Sequence, residues 1–254
     1  MLLTIDMGNT NITLGVFRGE TLLFESRLAT DHTKTADQYT VELKSVLRLY
    51  EADLHGFCGA ILSSVVPALD QSVCDAVRRV TGITPLRVGP GIRTGLNIRI
   101  DDPAQLGADL LTGAVAAVAK YGAPCIIWDL GTATTVSAVD ADRAFRGGAI
   151  MPGVRTSYNS LSAAASLLPN ISLEAPARAI CGGTVDCMRS GAVYGNAAMI
   201  DGMSARFREE LGCDAPIIAT GGLSREIVTH CRLPVQFDDT LLLDGLRLLW
   251  EKNN

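Results

Sequence analysis

The 254-residue sequence lacks the features that mark several common classes of protein. No apolar run reaches the roughly 18 residues that a membrane-spanning helix needs. The apolar residues 1–5 end at Asp6, and no basic segment precedes them, so we expect neither a membrane anchor nor a signal peptide. Neither the GxxxxGK[ST] loop nor a GxGxxG loop after a strand is present. These absences exclude the two commonest nucleotide-binding motifs.

An excess of positive charge is also missing. Lys and Arg together number 22 against 27 for Asp and Glu, a net charge of −5, so we expect no nucleic-acid partner. The three histidines and seven cysteines form no cluster with zinc-ligand spacing, and no CxxC occurs. An odd number of scattered cysteines is typical of free thiols in a reducing compartment, and the sequence therefore predicts a cytoplasmic protein.

The composition that is present is typical of a compact globular protein. Hydrophobic residues make up 48% and charged residues 19% of a chain long enough for one large or two small domains. Strand and helix patterns alternate throughout, which predicts an α/β fold. Strands are predicted over 2–5, 12–17, 21–28, 58–64, 125–128, 134–139, 143–150 and 216–219. Helices are predicted over 36–49, 67–80, 103–121, 154–165, 184–211 and 240–250.

One pattern occurs twice. Residues 5–10 and residues 128–132 both read as the end of an apolar strand, then Asp-x-Gly, then small polar residues before a second strand. A single Asp-x-Gly is a common turn, and two could arise by coincidence. Because both copies stand in the same strand context, we favour an internal duplication of one unit of strands and helices.

The repeated loop has the chemistry of a phosphate site. Its glycine lets the backbone approach a ligand, and backbone N–H groups with Thr or Asn side chains can face an anion. A carboxylate repels phosphate, so Asp6 and Asp129 are better suited to a cation that the phosphates also contact. A third segment, Thr220-Gly221-Gly222, follows a predicted strand and could accept a base or sugar against its bare backbone.

Eight segments along the chain carry a family resemblance. They are residues 6–11, 30–37, 63–67, 88–91 with 94–96, 106–109, 129–135, 147–153 and 220–222. Each is weak alone, but together and in this order they resemble the type III pantothenate kinases, within the superfamily of acetate kinase, sugar kinases, Hsp70 and actin. The resemblance implies two duplicated RNase H-like lobes with a nucleotide cleft between them. The N-terminal lobe would comprise 1–115 with the C-terminal helix 240–254, and the second lobe 116–236.

The resemblance also implies a role for each matching residue. Asp109 would be the general base for the substrate's primary hydroxyl, Asp6 would organise Mg²⁺ directly or through water, and Asp129 would bind a monovalent cation, K⁺ or NH₄⁺. The implied ATP- and phosphate-binding residues are Asp6, Met7, Gly8, Asn9, Thr10, Asn11, Ile12, Thr13, Thr132, Gly221 and Gly222. The implied substrate-binding residues are Ile100, Gly107, Ala108, Asp109, Leu110 and Thr184. Thr184 would reach pantothenate from the neighbouring subunit of a homodimer.

Residue spacing gives modest independent support to Asp109. If 103–121 is one helix, a polar or small face that includes Thr112 and Gly113 lies beside Asp109 and is open to a ligand. Phosphoryl transfer needs one carboxylate to orient the accepting hydroxyl. The simpler alternative is a solvated Asp near a helix N-terminus, where the helix dipole favours it. Without the family pattern, that alternative would be preferred.

The sequence departs from the family pattern only on the acceptor side. Where the family has Gly-x-Asp-Arg this chain has Leu110 for the arginine, Ile100 stands for a tyrosine, and Gly113 for an asparagine. Loss of a charge-assisted hydrogen bond should weaken acceptor binding by about one to two decades. Three hypotheses follow: a pantothenate kinase with a weaker acceptor site, a kinase for another hydroxyl acceptor, and a nucleotide-binding regulator without efficient turnover.

Overall fold

The computed structural model describes residues 1–254 as an α/β protein with two mixed β-sheets. The chain divides into two compact units. Unit 1 comprises Met1–Gly95, Asp102–Ala116 and Leu241–Asn254, and unit 2 comprises Leu96–Asp101 and Ala117–Thr240. No helix combines the length and apolar character that crossing a membrane requires.

The elements follow the sequence pattern closely. The strands are β1 Leu2–Met7, β2 Asn11–Arg18, β3 Thr21–Ala29, β4 Gly59–Ser64, β5 Leu86–Arg87, β6 Asn97–Ile98, β7 Cys125–Leu130, β8 Ala133–Val139, β9 Ala144–Pro152, β10 Ile217–Thr220 and β11 Val235–Phe237. The α-helices are α1 Ala36–Leu49, α2 Pro67–Thr81, α3 Ala108–Tyr121, α4 Val154–Ala164, α5 Thr184–Ser190, α6 Asn196–Leu211, α7 Ser224–Val228 and α8 Leu241–Asn253.

Unit 1 is built on a five-stranded sheet of order β3-β2-β1-β4-β5. The first three strands are antiparallel, and β1 pairs in parallel with β4. As the central strand, β1 is almost entirely buried, which agrees with its near-continuous apolar sequence. Helices α1 and α2 supply the apolar side chains that cover this sheet, among them Leu43, Leu47 and Val77.

Unit 2 repeats the same strand order. Its sheet runs β11-β10-β7-β8-β9-β6, in which β7, β8 and β9 are antiparallel and β7 pairs in parallel with β10. Apart from the added β6, each strand corresponds to one strand of unit 1. The repetition of strand order, direction and Asp-x-Gly position confirms the duplicated, RNase H-like architecture.

The predicted helix over 103–121 is wrong at its start. Pro103–Gln105 form a separate 3₁₀ turn, and Leu106 is extended, so α3 begins only at Ala108. Asp102 caps the short turn by accepting the Ala104 N–H at 3.0 Å. The break gives Asp109 a place in the first turn of α3 rather than in the middle of a helix.

The face of α3 that was expected to be open to a ligand is instead covered. Thr112 is fully buried, and Gly113 packs against Leu242 of α8. A Cβ at Gly245 would collide with the Thr112 carbonyl, so α8 approaches α3 as closely as glycine allows. The small residues on this face are therefore explained by helix packing within unit 1.

The predicted helix over 184–211 is interrupted. A π-helical turn at Gly191–Gly195 separates α5 from α6. A Cβ at Gly191 would lie 2.5 Å from the Tyr158 hydroxyl oxygen. Glycine thus lets Tyr158 of α4 pack against the widened turn.

Candidate functional site

The first Asp-x-Gly loop connects β1 to β2 at one end of the unit 1 sheet. Gly8 donates its N–H to the Asn11 carbonyl at 2.9 Å, which closes the turn. Thr30 fixes the loop from outside, because its backbone N–H binds the Thr10 carbonyl at 3.0 Å and its hydroxyl binds the Gly8 carbonyl at 2.7 Å. Asn9, Thr10 and Asn11 remain exposed. The loop is therefore held in one shape with its tip accessible to an anion.

Asp6 lies one residue before the end of β1, directly behind this loop. Its strand neighbours are Thr13 on β2 and Ser63 on β4. Although part of its surface stays accessible, protein atoms surround the carboxyl group closely. That desolvation, with the charge of Asp109 as a second cause, raises the pKa of Asp6 to about 7, while the Ser63 hydroxyl acts in the opposite direction.

Asp109 lies in the first turn of α3 and faces Asp6 closely enough for the two charges to interact. Burial raises the pKa of Asp109 above its usual range, and backbone N–H groups oppose this shift. The Leu110 N–H donates to the Asp109 carboxylate at 2.8 Å. A Cβ at Gly107 would lie 2.5 Å from the same carboxylate oxygen. Gly107 therefore leaves room for the carboxylate to fold back over the loop that precedes α3.

The second Asp-x-Gly loop connects β7 to β8 in unit 2. Asp129 lies one residue before the end of β7, with Thr135 and Thr220 as its strand neighbours. Gly221 follows β10 with a φ of +96°, and a Cβ there would lie 2.6 Å from an Asp129 carboxylate oxygen. Gly222 continues the same turn. The Thr220-Gly221-Gly222 segment thus lies against Asp129, which sequence spacing alone could not show.

Thr132 occupies the exposed tip of this second loop. Its carbonyl accepts a hydrogen bond from the Thr156 hydroxyl at 2.9 Å. Gly153 packs against the Gly131 and Thr132 carbonyls so closely that a Cβ would collide with both. The segment Met151-Pro152-Gly153 therefore supports the loop, which gives that motif a structural role.

The predicted acceptor residues fall in both units. Gly107, Ala108, Asp109 and Leu110 are together at the start of α3, and Leu110 is partly exposed. Ile100 lies in unit 2, where its side chain packs near Gly147. Thr184 begins α5 and is exposed, as its predicted contact with a neighbouring subunit requires.

Two residues beside the loop carboxylates were missed as site residues. At the sequence level, Ser63 is included only in the family-like segment 63–67 and Thr220 only in the Gly-Gly segment. Each is the parallel-strand neighbour of a loop carboxylate, and each is buried. The signal was available in the sequence, because both are hydroxyl residues at the end of a strand that follows a helix and pairs with the Asp-bearing strand.

Comparisons with known proteins show the family to which this chain belongs. The family model for type III pantothenate kinase matches residues 2–206. The chain belongs to the type III pantothenate kinase family. Relatives named type III pantothenate kinase are 43% identical in Exiguobacterium sibiricum and 40% identical in Moorella thermoacetica. Both alignments cover 100% of this chain and 100% of the relative.

Solved structures show the same fold at low sequence identity. A protein described as a conserved putative Baf family transcriptional activator from Campylobacter jejuni aligns with a TM-score of 0.59 and 17% identity over 99% of this chain and 98% of its own. A putative 2-dehydro-3-deoxygalactonokinase from Sinorhizobium meliloti aligns with a TM-score of 0.58 and 13% identity over 99% and 96%. These likenesses support the fold.

Membership in this kinase family implies ATP and a divalent metal, and unit 1 fits such an ion. Two carboxylates, Asp6 and Asp109, approach each other in a desolvated setting, and their mutual repulsion is one reason for the raised pKa of Asp6. A hard divalent cation with oxygen ligands would offset that repulsion. Asp6 is the residue in this arrangement that would hold Mg²⁺, directly or through water.

The raised pKa of Asp6 makes the stability of the apoprotein depend on pH. Because the folded-state pKa of about 7 exceeds the ordinary value of 3.8, the folded chain binds the proton more tightly. The stability that this proton contributes is therefore lost as pH rises from about 4 to about 7. We expect Asp6→Asn to raise the melting temperature by several degrees at pH 8 and by progressively less towards pH 4, measured without nucleotide in EDTA. Asp37→Asn, on the exposed start of α1, is the control. A gain that is equal at both pH values would contradict the assignment.

Proposed function

We propose that this chain transfers the γ-phosphoryl group of ATP to the primary hydroxyl of pantothenate. The product is 4′-phosphopantothenate, the first intermediate of coenzyme A biosynthesis. The observation that carries the proposal is the Asp109 carboxylate, which lies in the first turn of α3, close to Asp6, with a pKa raised by burial. A carboxylate of raised pKa is a better proton acceptor than an ordinary surface Asp.

In this proposal, the residues of unit 1 perform the chemistry. Asp109 orients the hydroxyl of the acceptor and takes its proton as the new P–O bond forms. The loop from Asp6 to Thr13 holds the phosphates through its backbone N–H groups and its Asn and Thr side chains. When bound, Mg²⁺ neutralises the charge that the phosphoryl oxygens carry during transfer. Asp6 would keep that ion in position, directly or through water.

The residues of unit 2 have the remaining nucleotide roles. Asp129 is proposed to bind a monovalent cation, K⁺ or NH₄⁺, because its carboxylate supplies an oxygen ligand in the second Asp-x-Gly loop. Thr132 and the Gly221-Gly222 turn are proposed to contact ATP. The φ of +96° at Gly221 supports this, since a side chain there would be strained and would strike Asp129.

The acceptor residues favour a second candidate, a kinase for another hydroxyl compound. Leu110 stands on α3 next to Asp109, where the family pattern has an arginine that would meet the pantothenate carboxylate. Leucine provides neither charge nor a hydrogen-bond donor. An acceptor without a carboxylate would lose nothing by this change, whereas pantothenate would bind more weakly. A nucleotide-binding regulator without efficient turnover is the third possibility.

We further propose a homodimer formed through unit 2. Five large apolar side chains are exposed there: Ile150, Leu161, Leu167, Ile180 and Val185. Leu167 and Ile180 expose 89% and 86% of their surface, which is unfavourable for a monomer in water. Both lie in the connection between α4 and α5 that leads to Thr184. A contact through them would therefore also bring Thr184 to the interface, as its predicted role requires.

The seven unpaired cysteines support the proposed cytoplasmic location.

Turnover with pantothenate tests the proposed reaction directly. With ATP, Mg²⁺ and K⁺, we expect ADP release that saturates with pantothenate in a coupled assay. Asp109→Asn should reduce this rate by about a hundredfold or more, because the proton acceptor is lost, while ATP affinity changes little. Asp102→Asn, which affects only the preceding 3₁₀ turn, is the matched control. ATP binding without pantothenate-dependent ADP release would overturn the assignment of the acceptor, and a wild-type rate in Asp109→Asn would overturn the base.

Restoring the arginine tests the altered acceptor site. We expect Leu110→Arg to lower the KM for pantothenate by about tenfold, since a charge-assisted hydrogen bond to the carboxylate is regained. Because Leu110 is partly exposed, the longer side chain can be accommodated. Leu110→Met, which adds length without charge, should leave the KM near the original value. A KM for pantothenate that Leu110→Arg does not lower would show that the carboxylate is anchored elsewhere.

Sedimentation velocity tests the proposed dimer. We expect a dimer for the original chain and a predominantly monomeric species for the double variant Leu167→Glu, Ile180→Glu, because two buried charges in an apolar interface are costly. Val41→Glu is the control, since Val41 is an exposed apolar residue of α1 in unit 1. Dissociation by Val41→Glu, with no effect of the double variant, would place the interface on unit 1.

A further inference from the structure

Ser63 lies one residue before the end of β4, directly beside Asp6. The two residues are register partners in the parallel pairing of β1 with β4. Register partners on adjacent strands project their side chains to the same face of the sheet. The Ser63 hydroxyl and the Asp6 carboxylate therefore lie side by side, close enough for the hydroxyl to lower the pKa of that carboxylate.

The Ser63 hydroxyl forms no hydrogen bond in this structure. The residue is completely buried, and no protein group takes up its Oγ. A buried hydroxyl without a hydrogen bond destabilises a fold by about 1–3 kcal/mol. Alanine would satisfy the packing without that cost, so the carboxylate of Asp6 is the feature that explains a serine here.

The adjacent serine differs in its contacts. The Ser64 hydroxyl donates to the Asp70 carboxylate at 2.5 Å and accepts the Val66 N–H at 3.0 Å. Asp70 is also paired with Arg87. The Ser64 side chain therefore stabilises the start of α2 and directs its hydrogen bonds away from Asp6, although Ser64 lies one residue from Ser63.

Unit 2 repeats the arrangement around its own carboxylate. Asp129 is the register partner of Thr220 on β10, as Asp6 is of Ser63 on β4. Thr220 is 3% exposed and Ser63 is fully buried, so a buried hydroxyl residue accompanies the loop carboxylate in both units. The sequences around Ser63 and Thr220 differ otherwise, which makes chance packing a poor explanation for the repeated hydroxyl.

We propose that Ser63 is a positioning residue that fixes the Asp6 carboxylate for the divalent metal of the nucleotide complex. The inference rests on the proposed role of Asp6 in organising Mg²⁺. In this proposal, the otherwise unpartnered Ser63 hydroxyl donates to one oxygen of the Asp6 carboxylate when the metal is bound, and this restricts rotation of the Asp6 side chain. The carboxylate is then presented to the metal, or to a water of its shell, in a single orientation.

Mg²⁺-dependent nucleotide binding tests this role without turnover. Affinity for ATP would be measured by calorimetry over a range of Mg²⁺ concentrations, with melting temperatures recorded on the same samples. We expect Ser63→Ala to raise the Mg²⁺ concentration for half-maximal binding by about tenfold. We expect Ser63→Thr, which keeps the hydroxyl and copies Thr220, to restore most of the affinity.

Ser64→Ala is the matched control and should show the opposite pattern. It should lower the melting temperature by loosening the Asp70 contact and leave the Mg²⁺ dependence unchanged. If Ser63→Thr does not fold, Ser63→Ala alone decides the question. A Mg²⁺ dependence within twofold of the original in Ser63→Ala would overturn the proposal. If Ser64→Ala raises the Mg²⁺ concentration for half-maximal binding as much as Ser63→Ala does, the proposal is also overturned, because the effect would then be structural.

The outcome is separable from that of the proposed reaction. Failure of pantothenate-dependent ADP release, with Mg²⁺-dependent ATP binding intact, rejects pantothenate as the acceptor and leaves the role of Ser63 to be decided by the Ser63→Ala result. An original chain that binds ATP without any need for Mg²⁺ would overturn the role of Ser63, because Asp6 would then have no metal to position.

Discussion

A carboxylate at the end of a buried central strand is the constraint on which the rest of each unit depends. Asp6 and Asp129 lie one residue before the ends of β1 and β7, and both strands are paired on both sides. A charge at such a position is costly unless hydrogen bonds or a cation compensate for it. A buried hydroxyl residue beside each carboxylate and a bound cation could together meet this requirement. The phosphate chemistry follows, because the same carboxylate that needs a cation can hold one against a phosphate.

The residues assigned to ATP and the residues assigned to the acceptor compare differently with the family pattern. The residues assigned to ATP have the loops, the glycines and the carboxylates that the family resemblance implies in both units, whereas the resemblance implies polar acceptor residues where this chain has Leu110 and Ile100. A chain that no longer needed any activity would lose both sets alike. The retained nucleotide loops argue that phosphoryl transfer persists, and the altered residues argue that recognition of the acceptor has changed.

Most of the fold could be predicted from the sequence because its signals are local. Apolar strands, Pro67 at the first turn of α2, and the repeated Asp-x-Gly each depend on a few neighbouring residues. The break before α3 was missed because Gly107 reads as a tolerable helix residue until the position of the Asp109 carboxylate is known. The short strands β5, β6 and β11 carry too few residues for a periodic pattern.

The site was predicted less completely, for a related reason. The loop residues belong to continuous motifs, but Ser63 and Thr220 reach Asp6 and Asp129 only through strand pairing. The small face of α3 was misread because Thr112 and Gly113 suit either a ligand or a closely packed helix. Only the position of α8, with Gly245 against Thr112, decides between them.

In the proposed reaction, Leu110 would affect the basicity of Asp109 as well as the binding of the hydroxyl acceptor. An arginine beside Asp109 would lower the pKa of that carboxylate, and leucine leaves the effect of burial unopposed on that side. In the proposed reaction, Leu110 would therefore weaken binding of an acidic acceptor and leave Asp109 a stronger proton acceptor. With two carboxylates close together and no arginine at 110, the metal ion of the nucleotide would supply the positive charge beside them during phosphoryl transfer. The orientation of Asp6 towards that ion would consequently be a controlling contact of the proposed transfer.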